Sequence, residues 1–547
     1  MFELDLLTAA AIGAIILLLY HYVAKQYEYF LTKPVPCIKP TFGFGSTAPL
    51  MFRNVDVGAF ISKLYYAFPD FKITGFYDLM KPVYLVRDLE VIKKITVKDF
   101  DYFTDHTPNI SLKNEEDGDD GTDGDDGGRL FANSLFALRG QKWRDMRATL
   151  SPAFTGSKMR HMFGLVAECG QSMVEFFTSE TKAGRTLEYE MKDVFSRFGN
   201  DVIASVAFGI KVDSLREREN EFFMNGKQML NFQSFMVIVK FLLLRSMPRL
   251  AQKLKIDFVD GKATKYFMSV IKDNMKQRGA HGIVRNDMIQ MLIEAREGAL
   301  KHQKDEQQTK DAGFATVEES NIGKLTHSRE WTDNELIAQC FLFFLAGFDT
   351  LSSCLSFLTY ELALNPDIQK RLYEEVLQID QSLNGKPLTY DSLQKMQYMD
   401  MVVSESLRKW PPSIVSDRYC GKDYHYSDGA DARFVIEKGL TLWIPTLAIH
   451  RDPKHYHNPD QFDPERFSEE NRSSINTGAY IPFGVGPRNC IGSRLALMEV
   501  KSIIYYLLKD FSMEPTEKTQ IPLQLSKKGG FSLLSEKGIW LELKPRK

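Results

Sequence analysis

The sequence predicts a mainly α-helical fold with minor β sheets, preceded by an N-terminal transmembrane helix. Three features lead to this expectation: an apolar N-terminal run, helical periodicity over most of residues 140–380, and short β-branched and aromatic runs such as residues 81–88. The chain has 547 residues, of which 44% are hydrophobic, so it can bury a sizeable core. Residues 46–547 are expected to form a single domain, and no internal repeat of the kind that indicates a solenoid is found.

The first element is an apolar segment without charged residues, from Leu6 to Ala24. At about 1.5 Å per residue, a helix of this length is sufficient for a hydrocarbon core of about 30 Å. The alternative is a cleaved signal peptide, but Glu3 and Asp5 precede the run and no small-residue cleavage site follows it. We therefore expect residues 1–24 to be a membrane anchor.

The residues that follow the anchor indicate its orientation. Lysines follow the apolar run whereas acids precede it, so the positive-inside rule places the rest of the chain on the cytosolic side. Three prolines within residues 25–45 predict a stiff, extended connector that holds the globular part at a set distance from the bilayer.

The charge balance gives no reason to expect nucleic acid or another polyanion as a partner. The chain carries 69 basic and 71 acidic residues, a net charge of -2. Eight of the acids lie within residues 115–128, and the net charge without them is +6. This segment has no apolar residue, so we expect a disordered acidic loop. It is not an EF-hand loop, because the ligand spacing fails and no glutamate closes it.

Two further segments and the cysteines complete the outline. The polar residues 297–331 predict a second surface loop, between two helices. The apolar residues 234–244 are too short to span a bilayer, and they predict either a buried helix, which we favour, or a surface that enters lipid.

Six scattered cysteines without a CxxC pattern predict a reducing environment.

A glycine-rich turn around Cys490 carries the strongest chemical signal. It occupies residues 483–492 (FGVGPRNCIG) and directly precedes a helical pattern. Its glycines allow the backbone to bend tightly against a flat cofactor, and peptide N–H groups near a helix N-terminus stabilise a thiolate. Arg488 offers a cation to a carboxylate of the same cofactor. The alternative is a small buried cysteine in an ordinary loop.

Two other motifs place polar residues in helical patterns. Glu405 and Arg408 lie three positions apart and share one helix face, although such a pair alone is usually an exposed ion pair. Residues 346–350 (AGFDT) interrupt an apolar helix. The Thr350 hydroxyl can bond to a carbonyl one turn earlier, which frees a backbone group for water and widens the helix. The alternative is a helix kink without chemistry.

The turn around Cys490 resembles the haem-binding loop of the cytochromes P450, and further motifs follow in that family's order. The resemblance implies the cytochrome P450 fold, haem b (iron protoporphyrin IX) as cofactor and Cys490 as the axial ligand of its iron. A thiolate ligand favours O–O cleavage, so the implied activity is a monooxygenase reaction that inserts one oxygen atom from O2 into a hydrophobic small molecule. The other residues that the resemblance places at the haem are Phe483, Gly484 and, against its propionates, Trp143, Arg147 and Arg418.

The resemblance also implies a structural network and a proton path. Glu405, Arg408 and Arg466, the last in the motif PERF, resemble the family's buried ion-pair network, which can hold the cysteine loop in register. Thr350, with Asp349 behind it, resembles the pair that supplies protons for oxygen activation.

The amino-acid sequence around these motifs is most similar to that of insect microsomal members of the clan related to mammalian family-three drug oxidases. That similarity implies plant toxins or insecticides as substrates and an endoplasmic reticulum membrane, with the catalytic domain facing the cytosol. The acidic residues 115–128 depart from the family in a loop that borders the substrate pocket. The residues expected to contact the substrate are Phe343, Ala346, Ser413 and Phe531.

The electrons must come from a separate protein, because the chain has no Walker loop and no G-x-G-x-x-G turn between strand and helix. The resemblance implies NADPH–cytochrome P450 reductase, with cytochrome b5 as a second donor. Lys142, Arg144 and Arg494 are candidates for a basic docking face, unless they are ordinary solvated charges. Two other functions stay open: a hydroxylase of an endogenous hormone or lipid, and a haem-binding sensor or isomerase without O2 activation.

Overall fold

The structure of the chain is a computed structural model. It describes residues 6–107, 127–229, 261–296, 313–317, 331–429, 433–530 and 532–546, together with residues 239, 240, 243, 250, 254, 256, 320 and 322. Residues 115–126 of the predicted acidic loop, most of the apolar run 234–244 and Phe531 lie outside the described residues.

Helices account for most of the described chain, as the periodicity predicts. In chain order they are α1 (Leu6–Gln26), α2 (Ala48–Met51), α3 (Val57–Tyr66), α4 (Leu89–Lys93), α5 (Gly127–Ala132), α6 (Gly140–Leu150), α7 (Gly156–Lys182), α8 (Met191–Phe208), α9 (Glu221–Met229), α10 (Gly261–His281), α11 (Met288–Arg296), α12 (Asp333–Leu364), α13 (Pro366–Ser382), α14 (Tyr390–Gln394), α15 (Gln397–Lys409), α16 (Thr446–His450) and α17 (Ser493–Asp510).

Nine described strands form three small sheets. The strands are β1 (Ile73–Asp78), β2 (Lys81–Val86), β3 (Glu188–Glu190), β4 (Ser416–Tyr419), β5 (Tyr424–Ser427), β6 (Arg433–Ile436), β7 (Thr441–Ile444), β8 (Phe511–Pro515) and β9 (Trp540–Pro545). The largest sheet has the order β1-β2-β7-β4, with β2 and β7 parallel and the other pairs antiparallel. The other two, β3-β9-β8 and β5-β6, are antiparallel. The predicted minor sheets and the strand within residues 81–88 are confirmed.

Helix α12 runs through the core. Its N-terminus has a capping box, in which the side chains of Thr332 and Glu335 each accept a hydrogen bond from the other residue's backbone N–H. Within the described residues it is the helix long and apolar enough to cross a membrane, but 67% of its apolar window is buried, so it is a core helix. It packs closely on α8, because a Cβ added to Gly347 would lie 2.9 Å from Cδ1 of Ile203. This contact fixes the register of the two helices.

The predicted N-terminal helix is present as α1 and extends two residues beyond Ala24. Its apolar side chains are exposed, with 69% exposure at both Leu17 and Leu18. The part whose side chains are almost all described, Ala10–Gln26, is a shorter apolar helix. A row of exposed apolar side chains on a helix outside the core is what a membrane anchor requires.

Two expectations about connecting segments differ from the structure. The predicted connector does not stand free, because Phe30 is buried against Tyr77 and Tyr84. The expected surface loop 297–331 is mostly outside the described residues, but within it Phe314 packs against Phe467, with ring centroids 5.0 Å apart. In both segments an aromatic ring within a polar or proline-rich stretch packs against the globular domain, which removes apolar surface from water. Residues 127 and 128 of the acidic segment begin α5.

Candidate active site

The turn that carries Cys490 is held by backbone hydrogen bonds. The Cys490 N–H donates to the Phe483 carbonyl at 2.8 Å, which closes the turn just before α17. Gly484 and Gly486 have φ values of 77° and 75°. At Gly486 a Cβ would lie 2.0 Å from the Thr96 carbonyl oxygen, so a larger residue does not fit. The sequence argument for glycine in this turn therefore has a direct steric basis.

The Cys490 side chain faces an internal cleft. It is exposed, whereas its neighbours Arg488 and Asn489 are buried. Burial of the surrounding region raises the pKa of the Cys490 thiol, and the Gly492 N–H and the Arg147 guanidinium act in the opposite direction. Both groups favour a thiolate; the sequence predicts this role for a peptide N–H, whereas Arg147 is expected at a propionate.

We assign the second wall of the cleft to a short strip of α12. Ala346 and Thr350 are exposed in the middle of this otherwise buried helix. The Thr350 hydroxyl donates to the Ala346 carbonyl at 2.6 Å, so the expected bond to the preceding turn is present. The hydrogen-bond pattern stays α-helical throughout this fully described helix, so the expected widening is not observed. The bonded hydroxyl keeps its oxygen lone pairs free to accept from water.

Phe154 joins the two walls. Its ring packs on Phe343 of α12, with centroids 5.5 Å apart, and a Cβ added to Gly492 would lie 3.9 Å from the same ring. The cysteine turn and the exposed strip of α12 are thereby joined through one aromatic ring, and we assign them to the two walls of one cleft.

Asp349 does not face the cleft in the same direction as Thr350. Its carboxylate forms an ion pair with Lys192 of α8, at 2.8 Å. Successive helical residues point about 100° apart, so adjacent residues of α12 reach different surroundings.

The arginines expected at the haem propionates differ in how many of their N–H groups donate hydrogen bonds to protein atoms. Arg147 donates to the carbonyl and the side-chain oxygen of Asn489, at 2.8 and 2.7 Å. Arg418 is buried and donates to the carbonyls of Asp417 and Val485, while its Nε has no hydrogen-bond partner among the described residues. Burial lowers the pKa of Arg418 to about 10, against the opposing effect of Asp417. A buried donor of this kind needs an acceptor.

Arg488 makes several contacts with the protein. Its guanidinium donates to the carbonyls of Thr104 and Leu138, at 2.8 and 2.7 Å, and to the Asp105 carboxylate at 3.1 Å. It also lies 4.1 Å from the centroid of the buried Trp143 ring. These contacts show Arg488 as an anchor of the cysteine turn, and its contact with a cofactor carboxylate stays a prediction.

The structure brings Glu405, Arg408 and Arg466 together in the interior. Arg408 contacts the Glu405 carboxylate through two nitrogens, at 2.6 and 2.8 Å, and both side chains are fully buried. Arg466 lies 3.4 Å from the same carboxylate. Burial raises the pKa of Glu405, whereas Arg408 and Arg466 oppose the rise.

His450 is a supporting residue that the sequence argument missed. Its Nε2 accepts the Ile481 N–H at 2.9 Å, and its carbonyl accepts from Arg408 at 2.8 Å. Burial, followed by the nearby Arg408, lowers the pKa of His450 to about 3, so the ring stays neutral and able to accept. A single histidine in an apolar stretch gave no signal of this role, since its partners are distant in sequence.

The expected substrate-contact residues are only partly assembled. Phe343 and Ala346 lie on the α12 wall of the cleft, as described above. Ser413 is exposed, and its hydroxyl donates to the Val415 carbonyl at 3.2 Å. Phe531 lies outside the described residues. The pocket assignments therefore stay predictions.

Comparison with known proteins agrees with this geometry. The cytochrome P450 family model matches residues 48–541. The chain belongs to the cytochrome P450 family. It is 42% identical to the protein described as probable cytochrome P450 9f2 of Drosophila melanogaster, over 97% of each chain. It is 41% identical to cytochrome P450 9e2 of Blattella germanica, over 98% of this chain and 97% of the relative, and 34% identical to cytochrome P450 6k1 of the same species, over 94% and 93%.

The protein is therefore a cytochrome P450 monooxygenase with haem b as its cofactor, and the alternative of a sensor or isomerase is not retained. The residues present fit the haem. Cys490 supplies a sulfur exposed to the cleft, Arg418 has an unpaired buried donor, and Gly486 keeps the turn free of side chains. Family membership also implies a redox partner such as a reductase, as well as a substrate and O2.

The buried network predicts the effect of Glu405→Ala. This change leaves the buried guanidinium of Arg408 without its carboxylate, which we expect to cost about 3–5 kcal/mol of folding free energy. The measurement is the urea midpoint of the purified protein, together with the yield of haem-loaded protein. The exposed Glu469→Ala is the control and should change stability by less than about 0.5 kcal/mol. Equal midpoints for the two variants would contradict the structural role of the network.

Proposed function

We propose that this cytochrome P450 oxidises hydrophobic foreign compounds such as plant toxins or insecticides, with Cys490 as the iron ligand and Asp349 and Thr350 as the proton path. The observation that carries the proposal is that the Cys490 sulfur and the Thr350 residue are both exposed, on two elements that the Phe154 ring joins. The wall beside Thr350 is apolar, with Phe343 and Ala346, and favours hydrophobic substrates.

Each residue at the haem has a separate task in this proposal. The Gly492 N–H and Arg147 stabilise the Cys490 thiolate. Arg418, through its unpaired Nε, binds a propionate, and Trp143 lies buried beside the anchored cysteine turn. When bound, the haem supplies dioxygen activation, which a thiolate ligand favours.

The proton path uses two adjacent residues of α12. The Thr350 hydroxyl donates to the Ala346 carbonyl, so its oxygen is oriented to accept a hydrogen bond from water in the cleft. Asp349 is partly exposed and can exchange protons with solvent. Together they give protons a route from solvent to the cleft.

The surface of the protein supports a specific redox partner and a specific location in the cell. Helix α1 anchors the protein in the endoplasmic reticulum membrane, with the catalytic domain in the cytosol. NADPH–cytochrome P450 reductase supplies electrons, and cytochrome b5 is a second donor. Lys142 is exposed, and Arg144 and Arg494 are partly exposed, beside the elements that carry Trp143 and Cys490. Such a basic face steers an acidic partner towards the side of the thiolate.

The first prediction concerns the iron ligand. The reduced wild-type protein with carbon monoxide should show the strongly red-shifted Soret band of thiolate-bound haem, and Cys490→Ser should lose that band because a hydroxyl does not replace the thiolate. The measurement is the carbon monoxide difference spectrum. Cys37→Ser, which changes a partly buried thiol elsewhere, is the control and should keep the band. A red-shifted band that survives in Cys490→Ser would refute the assignment.

The second prediction concerns the proton path. Thr350→Ala should lower product formed per NADPH consumed by about ten-fold, because positioned proton transfer contributes on the order of 10²–10⁴ in rate. NADPH consumption, hydrogen peroxide and product are measured with the reductase present. Thr359→Ala removes a similar hydroxyl, bonded to Leu355 of the same helix, and should leave the ratio unchanged. An unchanged ratio in Thr350→Ala would exclude Thr350 from the path.

The substrate class is tested by comparing kcat/KM between two panels of compounds, foreign and endogenous. If foreign compounds are the substrates, turnover of plant terpenoids and insecticides should exceed turnover of steroid hormones and fatty acids by about ten-fold in kcat/KM. The apolar α12 wall disfavours the carboxylate of a fatty acid but accepts a steroid, so the steroids decide the test. Product formation is measured by mass spectrometry with equal haem-loaded enzyme. Higher kcat/KM for the steroids or fatty acids would instead favour the hydroxylase of an endogenous hormone or lipid.

A further inference from the structure

Lys192 occupies an unfavourable position for a lysine in its own helix. It is the second residue of α8, whose first turn carries the positive end of the helix dipole. The N-cap of this helix is already provided by Glu190, whose side chain accepts the Asp193 N–H. Helix stability therefore does not explain a cation here, and its partners on α12 must.

Four oxygen atoms of those partners lie within hydrogen-bond distance of the ammonium group. The Lys192 Nζ lies 2.8 Å from Oδ1 of Asp349, 3.0 Å from the Asp349 carbonyl oxygen, 2.8 Å from Oγ of Ser352 and 2.6 Å from Oγ of Ser353. An ammonium has three N–H donors, so four acceptors at these distances saturate it. Ser352 donates its own proton to the Phe348 carbonyl, which leaves its oxygen to accept from Lys192.

The result is a fixed orientation of the Asp349 carboxylate. Lys192 binds one of its oxygens, and the Ser532 hydroxyl lies 3.4 Å from the other. The close approach of Gly347 to Ile203 prevents the two helices from sliding. The ion pair is partly solvated, with 22% of the Lys192 side chain and 36% of the Asp349 side chain exposed. The pair therefore contacts solvent, and Asp349 directly precedes Thr350 in α12.

We propose that Lys192 is a positioning residue for oxygen activation, which holds the Asp349 carboxylate in the orientation from which protons reach Thr350. This inference rests on the proton path proposed above. In this path the Asp349 carboxylate passes on one proton for each proton that it receives from solvent, and Lys192 only binds and orients it. If the Lys192–Asp349 ion pair only joined α8 to α12, its loss would lower the stability of the protein but leave product formed per NADPH unchanged.

The test compares Lys192→Met, Lys192→Arg and Lys158→Met in the full chain with the reductase, with 7-ethoxycoumarin as the probe substrate. Haem loading is first equalised by the carbon monoxide spectrum. Lys192→Met should lower product formed per NADPH by about three-fold or more and raise hydrogen peroxide, because Asp349 is no longer oriented. Lys192→Arg should restore at least about half of the ratio, since its N–H groups reach the same acceptors. A ratio within about 1.5-fold of wild type in Lys192→Met would overturn the inference.

Lys158→Met is the matched control. Lys158 pairs with Glu294 at 3.3 Å, and the two side chains are 33% and 30% exposed, so the pair resembles the Lys192 pair but joins α7 to α11. Its loss should leave product per NADPH unchanged. An equal fall in Lys158→Met would mean that loss of any partly buried ion pair causes uncoupling, which would also overturn the inference.

Two further variants separate the inference from the proton path on which it rests. If Asp349→Asn and Thr350→Ala lower the ratio and Lys192→Met does not, the inference fails and the proton path stands. If none of the three lowers it, the proton path fails as well. Thermal unfolding of Lys192→Met, Asp349→Asn and the double variant gives a readout independent of turnover. The losses in midpoint should be less than additive, and additive losses would show that the pair is not formed in solution.

Discussion

The buried guanidinium of Arg408 is the interaction on which the haem side of the structure depends. It binds Glu405 on its own helix and donates to the carbonyl of His450. His450 in turn accepts the Ile481 N–H, two residues before the turn that ends at Cys490. A buried guanidinium needs all of its acceptors, so these segments cannot shift independently. The Glu405–Arg408 ion pair of α15 thereby helps to fix the position of the Cys490 sulfur, through His450 and Ile481.

The arginines at the site show that charge alone does not determine a role. Arg488 and Arg147 both direct their N–H groups to protein oxygens, and both hold residues of the cysteine turn. Arg418 is equally buried but keeps Nε without a partner among the described residues. The number of acceptors that the surrounding backbone supplies therefore decides which arginine is left to bind a ligand.

The sequence predicts those parts of the site that lie close together along the chain. The glycine turn and the pair Glu405–Arg408 each depend on short spacing, and the structure places both as expected. The Lys192–Asp349 pair joins residues 157 apart, and nothing local to either residue predicts it. The engagement of Arg488 was missed for the same reason, since its acceptors Thr104 and Leu138 lie more than 340 positions away. Backbone acceptors carry no sequence signature, because every residue has a carbonyl.

The adjacency of Asp349 and Thr350 has a geometric consequence. A helical residue points about 100° away from the one before it, so two neighbours cannot face the same wall. In α12 this places the carboxylate towards Lys192 and solvent, and the hydroxyl towards the cleft. A spacing of four residues would instead align both groups on one face. Two adjacent residues therefore allow a single turn of a buried helix to face both solvent and the cleft.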